Sequence, residues 1–163
     1  MLLSILAGIL IAMGGTINLA VGGGVLGAIL FSLGLLTILH FQLKLFTGKA
    51  GLLATNDISI KDLSLIWCGN LIGCGIWATL LSFTDWGYKL VEPAAAIVQT
   101  RISNSLIDNM VLGICCGLLM YIAVNIYKSH PWATVMCVAA FILAGFNHCV
   151  ADMFYFFVGT TTE

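Results

Sequence analysis

Residues 2–21 contain no charged side chain, and Ser4, Thr16 and Asn18 are the polar exceptions among apolar residues and glycines. About 20 residues in an α-helix cross the hydrocarbon layer of a bilayer. With no water in that layer to receive backbone N–H and C=O groups, an uncharged run of this length is confined to a helix. Further apolar runs start near Val25, cover residues 63–83 and 107–127, and begin again at Trp132. Gly22-Gly23-Gly24, the polar stretch Asn56 to Asp62, residues 84–106 and Lys128-Ser129-His130-Pro131 connect them. The expected fold class is therefore an all-α membrane protein, built as one transmembrane domain over residues 1–163. Composition excludes the alternative of a large soluble core. The chain is 61% hydrophobic and only 8% charged, against roughly 25% charged in soluble domains. Too few polar groups are present to cover a soluble surface.

Two of the apolar runs are interrupted. The second reaches His40, Gln42, Lys44, Thr47, Gly48, Lys49 and Gly51, and then becomes apolar again at Leu52-Leu53-Ala54. A continuous helix from Val25 would already have crossed near Leu45, so a break at Leu45-Phe46-Thr47-Gly48 is expected rather than an interfacial loop. The fifth run meets Gly145 after about 13 residues, too few to cross, and after His148 and Asp152 it stays apolar through Val158. Irregular backbone at membrane depth requires protein or a water-filled cavity to receive its polar groups. Paired breaks of this kind mark inverted repeats with a translocation site at their interface. The expected repeats are residues 1–83 and 104–163, the second lacking its last member before the sequence closes at Thr160-Thr161-Thr162-Glu163. Charge does not orient the chain, because Lys61 and Lys128 on one side balance Lys89 and Arg101 on the other.

Other functional classes find little support. A net charge of −1 with scattered lysines gives no nucleic-acid footprint and no polybasic membrane tail. Cys68, Cys74, Cys115, Cys116, Cys137 and Cys149 all sit inside apolar runs, as small hydrophobes buried in lipid or protein contact do. The N-terminus lacks the basic start and cleavage site of a signal peptide and reads as the first span. No enzyme motif or phosphate loop is present, no cofactor is implied, and His148, Cys149 and Asp152 alone are too few for a metal site. Gly69, Asn70, Gly73 and Gly75 predict a close helix contact, with Asn70 either bonding across helices or lining a pore. Ser59 or Asp57 is expected to cap the third span, and residues 84–106 to hold a short interfacial helix. His40 and His130 are expected at the interface, and Phe154-Tyr155-Phe156-Phe157 facing lipid or another subunit. His148 and Asp152 share a helical face one turn apart. An ionised acid there would favour a protonated histidine but repel an anion; alternatively it pairs with a backbone N–H or a basic group off the pore axis.

Four pieces carry a resemblance: Leu45-Phe46-Thr47-Gly48, Gly69-Asn70-Leu71-Ile72-Gly73, Gly113-Ile114-Cys115-Cys116, and above all Gly145-Phe146-Asn147-His148-Cys149-Val150-Ala151-Asp152-Met153. In their order, and on two broken segments, they resemble the formate/nitrite transporter family of pentameric, aquaporin-like anion channels, from residue 4 to about residue 159. The resemblance implies a homo-oligomer, a pentamer, in an inner or plasma membrane, passing small anions and protons. It implies His148 as the central pore histidine, Thr47 on the loop opposite it, and Leu45 and Phe46 near an apolar constriction. Arg101 takes the place of a family lysine that draws anions into the outer vestibule, with Lys44 or Lys49 as further candidates for positive vestibule charge. The chain departs from the family pattern at Gly117 and at Asp152, where asparagines are usual, at Arg101 and in the absent sixth span. The implied function is a channel for formate, nitrite or related weak-acid anions, pH-gated or proton-assisted through His148. A proton-coupled carrier and a non-conducting truncated protein are the alternatives.

Overall fold

In the computed structural model, which describes residues 1–160, α1 (Leu2–Ala20) lies at the centre and packs on α2 (Gly24–His40) and α4 (Ile60–Ser82). Between them come the short α3 (Phe46–Lys49) and a 3-10 turn over Ala50–Leu53. α5 (Asp85–Tyr88) and α6 (Val91–Ser103) follow, then α7 (Leu106–Ile126), α8 (Pro131–Leu143) and α9 (Cys149–Gly159). α2 and α7 pack on α8, while α4 and α6 pack on α9. Thr161, Thr162 and Glu163, which close the sequence, lie outside the described residues.

Among the described residues, three helices, α1, α4 and α7, are long and apolar enough to cross a membrane. α7 leaves Leu106, Met110, Ile114 and Leu118 exposed along one side, an apolar surface suited to lipid or protein but not to water. The α1–α4 crossing depends on glycine. A Cβ on Gly73 would run into the Ile5 carbonyl, one on Gly8 into the Asn70 backbone, and one on Gly69 would lie 2.5 Å from Ser4 Cβ. Gly75, expected on the same contact, instead faces the Phe157 ring. Ser59 caps α4 by accepting from the Asp62 N–H at 3.1 Å. Ser105 and Asp108 form a reciprocal capping box at the start of α7.

Both expected breaks are present. α8 has 13 residues and α9 has 11, so each spans only about 15–20 Å, and only together do they match a bilayer. The breaks open in the same way. After α2, Leu43 N–H donates to Ile38 O at 2.9 Å and Gln42 N–H to Leu39 O at 3.3 Å. After α8, Phe146 N–H donates to Phe141 O at 2.9 Å and Gly145 N–H to Ile142 O at 3.1 Å. Both are Schellman motifs, which require a left-handed residue just past the helix. Gly145 supplies it at φ +71° without cost, whereas Gln42 holds φ +53° with a side chain. Each break then ends in an extended residue, Leu45 or His148, that opens the next short helix.

Two expectations are revised. The segment 84–106, expected to hold one short helix, holds two, and α6 buries Ala94 and Val98 and packs along α9. In the aromatic tail, Phe154 and Tyr155 are core residues and only Phe156 and Phe157 are exposed. α9 packs against α1, α4 and α6, which bury Phe154 and Tyr155.

Candidate functional site

The first break is held open by a residue distant in sequence. Asn70, fully buried on α4, accepts from the Phe46 N–H through Oδ1 at 2.8 Å. Its Nδ2 donates to Ser4 O at 2.7 Å and to Lys44 O at 3.0 Å. A buried irregular backbone must find partners, and Asn70 supplies them for both flanks of Leu45. It is thus a cross-helix hydrogen bonder rather than a pore-lining group. Leu45 is 2% exposed and borders a cavity of about 480 Å³. Phe46 is half-buried against the core.

The second break is held from α6 and α7. Arg101 donates from Nη1 to Gly145 O at 3.0 Å, from Nη2 to Phe146 O at 3.3 Å, and from Nε to Asp152 Oδ1 at 3.2 Å. Its planar fork suits such a set of acceptors. Asn147 Nδ2 donates to Asn109 Oδ1 at 2.8 Å, and Asn109 Nδ2 in turn donates to Arg101 O at 2.9 Å. Of the alternatives for Asp152, the structure shows the pairing with a basic group, and the side chains of the pair are 14% and 16% exposed.

At the end of the second break, facing the first, lies His148, 2% exposed. Its Nδ1 accepts from the Ala151 N–H at 3.0 Å, so the ring caps α9. Its Nε2 is 2.9 Å from Thr47 Oγ1, and its ring stacks on Phe141 at 5.3 Å between centroids. Thr47 sits on α3 in the first broken segment, so this one bond joins the two breaks directly. His148, Arg101 and Asp152 border a second cavity of about 230 Å³, along with Phe141 and Tyr155. The structure therefore brings together Thr47 and His148, and separately Arg101 and Asp152. Lys44 is exposed beside the first break. His40 and His130 are exposed, away from the centre.

Asn109 and Asn147 were not singled out from sequence. The available signal was their polarity: Asn147 is the residue before His148, and Asn109 lies in the first turns of an otherwise apolar helix.

Full spans wrapped around two half-spans, with a half-buried threonine bonded to a buried histidine where the breaks meet, define a multi-pass membrane protein of the broken-helix class. The description "Formate/nitrite transporter" belongs to a family whose pattern matches residues 1–163, and the chain belongs to that family. It is similar to the formate channel FocA of Haemophilus influenzae, 27% identical over 83% of this chain and 54% of that relative. FocA of Escherichia coli is 27% identical over 78% of this chain and 51% of its own length. An uncharacterised transporter of Bacillus subtilis, YrhG, is 28% identical over 94% of this chain and 68% of its own length. The chain thus spans about half the length of the FocA relatives. A solved structure described as a pentameric formate channel with formate bound superposes with a TM-score of 0.79. It is 28% identical, and the match covers 94% of this chain and 71% of that one. The all-α membrane fold with interrupted helices is shared with it.

Proposed function

We propose that this chain forms a pore for small monovalent anions of weak acids, of the formate and nitrite class, with proton assistance from His148. The observation that carries the reading is the 2.9 Å contact between Thr47 Oγ1 and His148 Nε2, because it sits where two half-spans meet. Similarity to channels described as conducting or binding formate supports the same substrate class. The homopentamer and the inner- or plasma-membrane location belong to this proposal, as does an inverted repeat of residues 1–83 and 104–163. The presence of one break in each half favours that repeat.

The hydrogen bonds assign a working tautomer. Because the Ala151 N–H donates to Nδ1, the neutral ring carries its proton on Nε2. That proton is donated to Thr47 Oγ1, which leaves the threonine O–H free to meet an oxygen of a passing anion. Imidazole is the side chain whose unperturbed charge change lies closest to neutral pH. A second proton on Nδ1 would face the Ala151 N–H donor to donor, so charging the ring also releases the cap of α9. Proton uptake and the geometry of the second break are thereby coupled, which gives pH-dependent passage a structural basis. Leu45 and Phe46 form the apolar side of the constriction, where desolvation of a bare anion is costly.

His148→Phe in proteoliposomes should abolish pH-dependent formate and nitrite uptake while leaving assembly intact. Unchanged uptake would refute the role of His148. Single-channel currents distinguish a channel from a carrier, which would show saturable, strictly proton-coupled uptake.

A further inference from the structure

Two cavities that differ in charge lie beside the two breaks, and of the threonine–histidine pair only His148 lines one of them, the smaller. The larger, of about 480 Å³, is bordered by Leu45 and Gly48 of the first break and by Lys49 and Lys128, with no acidic residue in its lining. The smaller, of about 230 Å³, carries two formal charges in its lining besides the titratable His148 and Tyr155, and these are Arg101 and Asp152, paired with each other. The two lie at opposite ends of α7, whose 21 residues span about 30 Å. Lys128 follows the C-terminal end of that helix, and Arg101 is tied to Asn109 near its start. Among the described residues, neither Lys49 nor Lys128 is ion-paired. Lys49 also borders a separate cavity, which it shares with Lys44, Asp57 and Asp62.

From this asymmetry we infer that Lys49 and Lys128 form the mouth that recruits anions, and that Asp152 keeps the opposite, Arg101 mouth electrically neutral. Resting on the proposed passage of weak-acid anions, the inference reassigns the attraction expected of Arg101. That guanidinium is committed to two break carbonyls and one carboxylate, so it acts as a positioning residue for the loop that carries His148. A cleft lined by one sign of charge raises the local concentration of the opposite ion, whereas a matched pair does not. Weak-acid anions therefore gather on the lysine side and meet Thr47 from there.

The test uses the purified full chain, with formate uptake into liposomes and a 13C-formate NMR titration run side by side. Each is measured at about 0.01 M and about 1 M salt, between which the Debye length falls from roughly 30 Å to roughly 3 Å. The double variant Lys49→Gln, Lys128→Gln should lose roughly tenfold in low-salt uptake and in low-salt affinity, and match the wild type at high salt. Asp152→Asn, which keeps an acceptor for Arg101, should raise both severalfold at low salt. A lysine double variant with wild-type salt dependence in both readouts would overturn the inference. So would an Asp152→Asn protein that folds with wild-type thermal stability yet binds formate no better at low salt. If the wild type passes neither formate nor nitrite, the proposed function fails, while the titration still decides which mouth attracts the anion.

Discussion

Asn70→Ala removes no group that touches Thr47 or His148, yet it should disable the site. The substitution deletes three hydrogen bonds at 2.8, 2.7 and 3.0 Å. Ser4 lies inside α1, so its carbonyl keeps a place in the helix ladder. The Phe46 N–H heads a four-residue helix and has no such alternative. Hydrogen bonds between membrane helices average about 0.6 kcal/mol, so three are worth about 2 kcal/mol. Orphaning the Phe46 N–H adds a desolvation penalty of about 1–2 kcal/mol. The expected loss is about 3–4 kcal/mol, far above the ordinary surface substitution. Reversible unfolding in mixed detergent micelles measures the total, and hydrogen exchange at the Phe46 amide measures its location. Exchange at Phe46 should rise by more than tenfold relative to amides in α9, and formate uptake should fall because Thr47 is no longer held against His148. A variant within about 0.5 kcal/mol of wild type, with Phe46 still protected, would show that the break supports itself.

Two further substitutions separate roles that coincide in the wild type. His148→Asn should keep the α9 cap, since asparagine is a strong N-cap, and stay about 1 kcal/mol more stable than His148→Ala. It should nevertheless lose the pH dependence of uptake, as followed by flux between pH 5 and 8; persistence would place the titrating group elsewhere. Gly73→Ala should cost about 1–3 kcal/mol in the same unfolding assay, because its methyl group meets the Ile5 carbonyl. Gly113→Ala on the open side of α7 serves as the control and should be neutral or slightly stabilising.

The breaks were legible in the sequence because they are local. A polar cluster at Lys44 to Lys49 and a histidine 17 residues after Pro131 interrupt apolar runs too short or too long for one span. The helix-contact glycines of α4 were legible for the same reason, as a spacing on one helix. The role of Arg101 was not. Its three acceptors lie 44, 45 and 51 residues away, and nothing local distinguishes a free vestibule cation from one enclosed by carbonyls. Asp152 shows the same limit from the other side. Its spacing from His148 placed both on one face, but only the packing of α6 on α9 determines which charge it meets.

The two breaks solve one physical problem with unlike parts. Each needs a left-handed residue, a few extended residues and partners for backbone groups that no helix satisfies. At the first, a neutral amide from α4 suffices, because one N–H and one carbonyl are in need of partners. At the second, two successive carbonyls, of Gly145 and Phe146, require two donors from one side, which an arginine fork supplies and an amide cannot supply as well. A guanidinium placed there brings a full charge to the edge of the cavity that borders His148. Asp152, one turn into α9, is where that charge can be cancelled without disturbing either carbonyl bond. On this argument the acid is tied to the arginine rather than to the histidine. An Arg101→Gln protein would then gain stability from replacing Asp152 with asparagine, whereas the wild type would gain no stability from it.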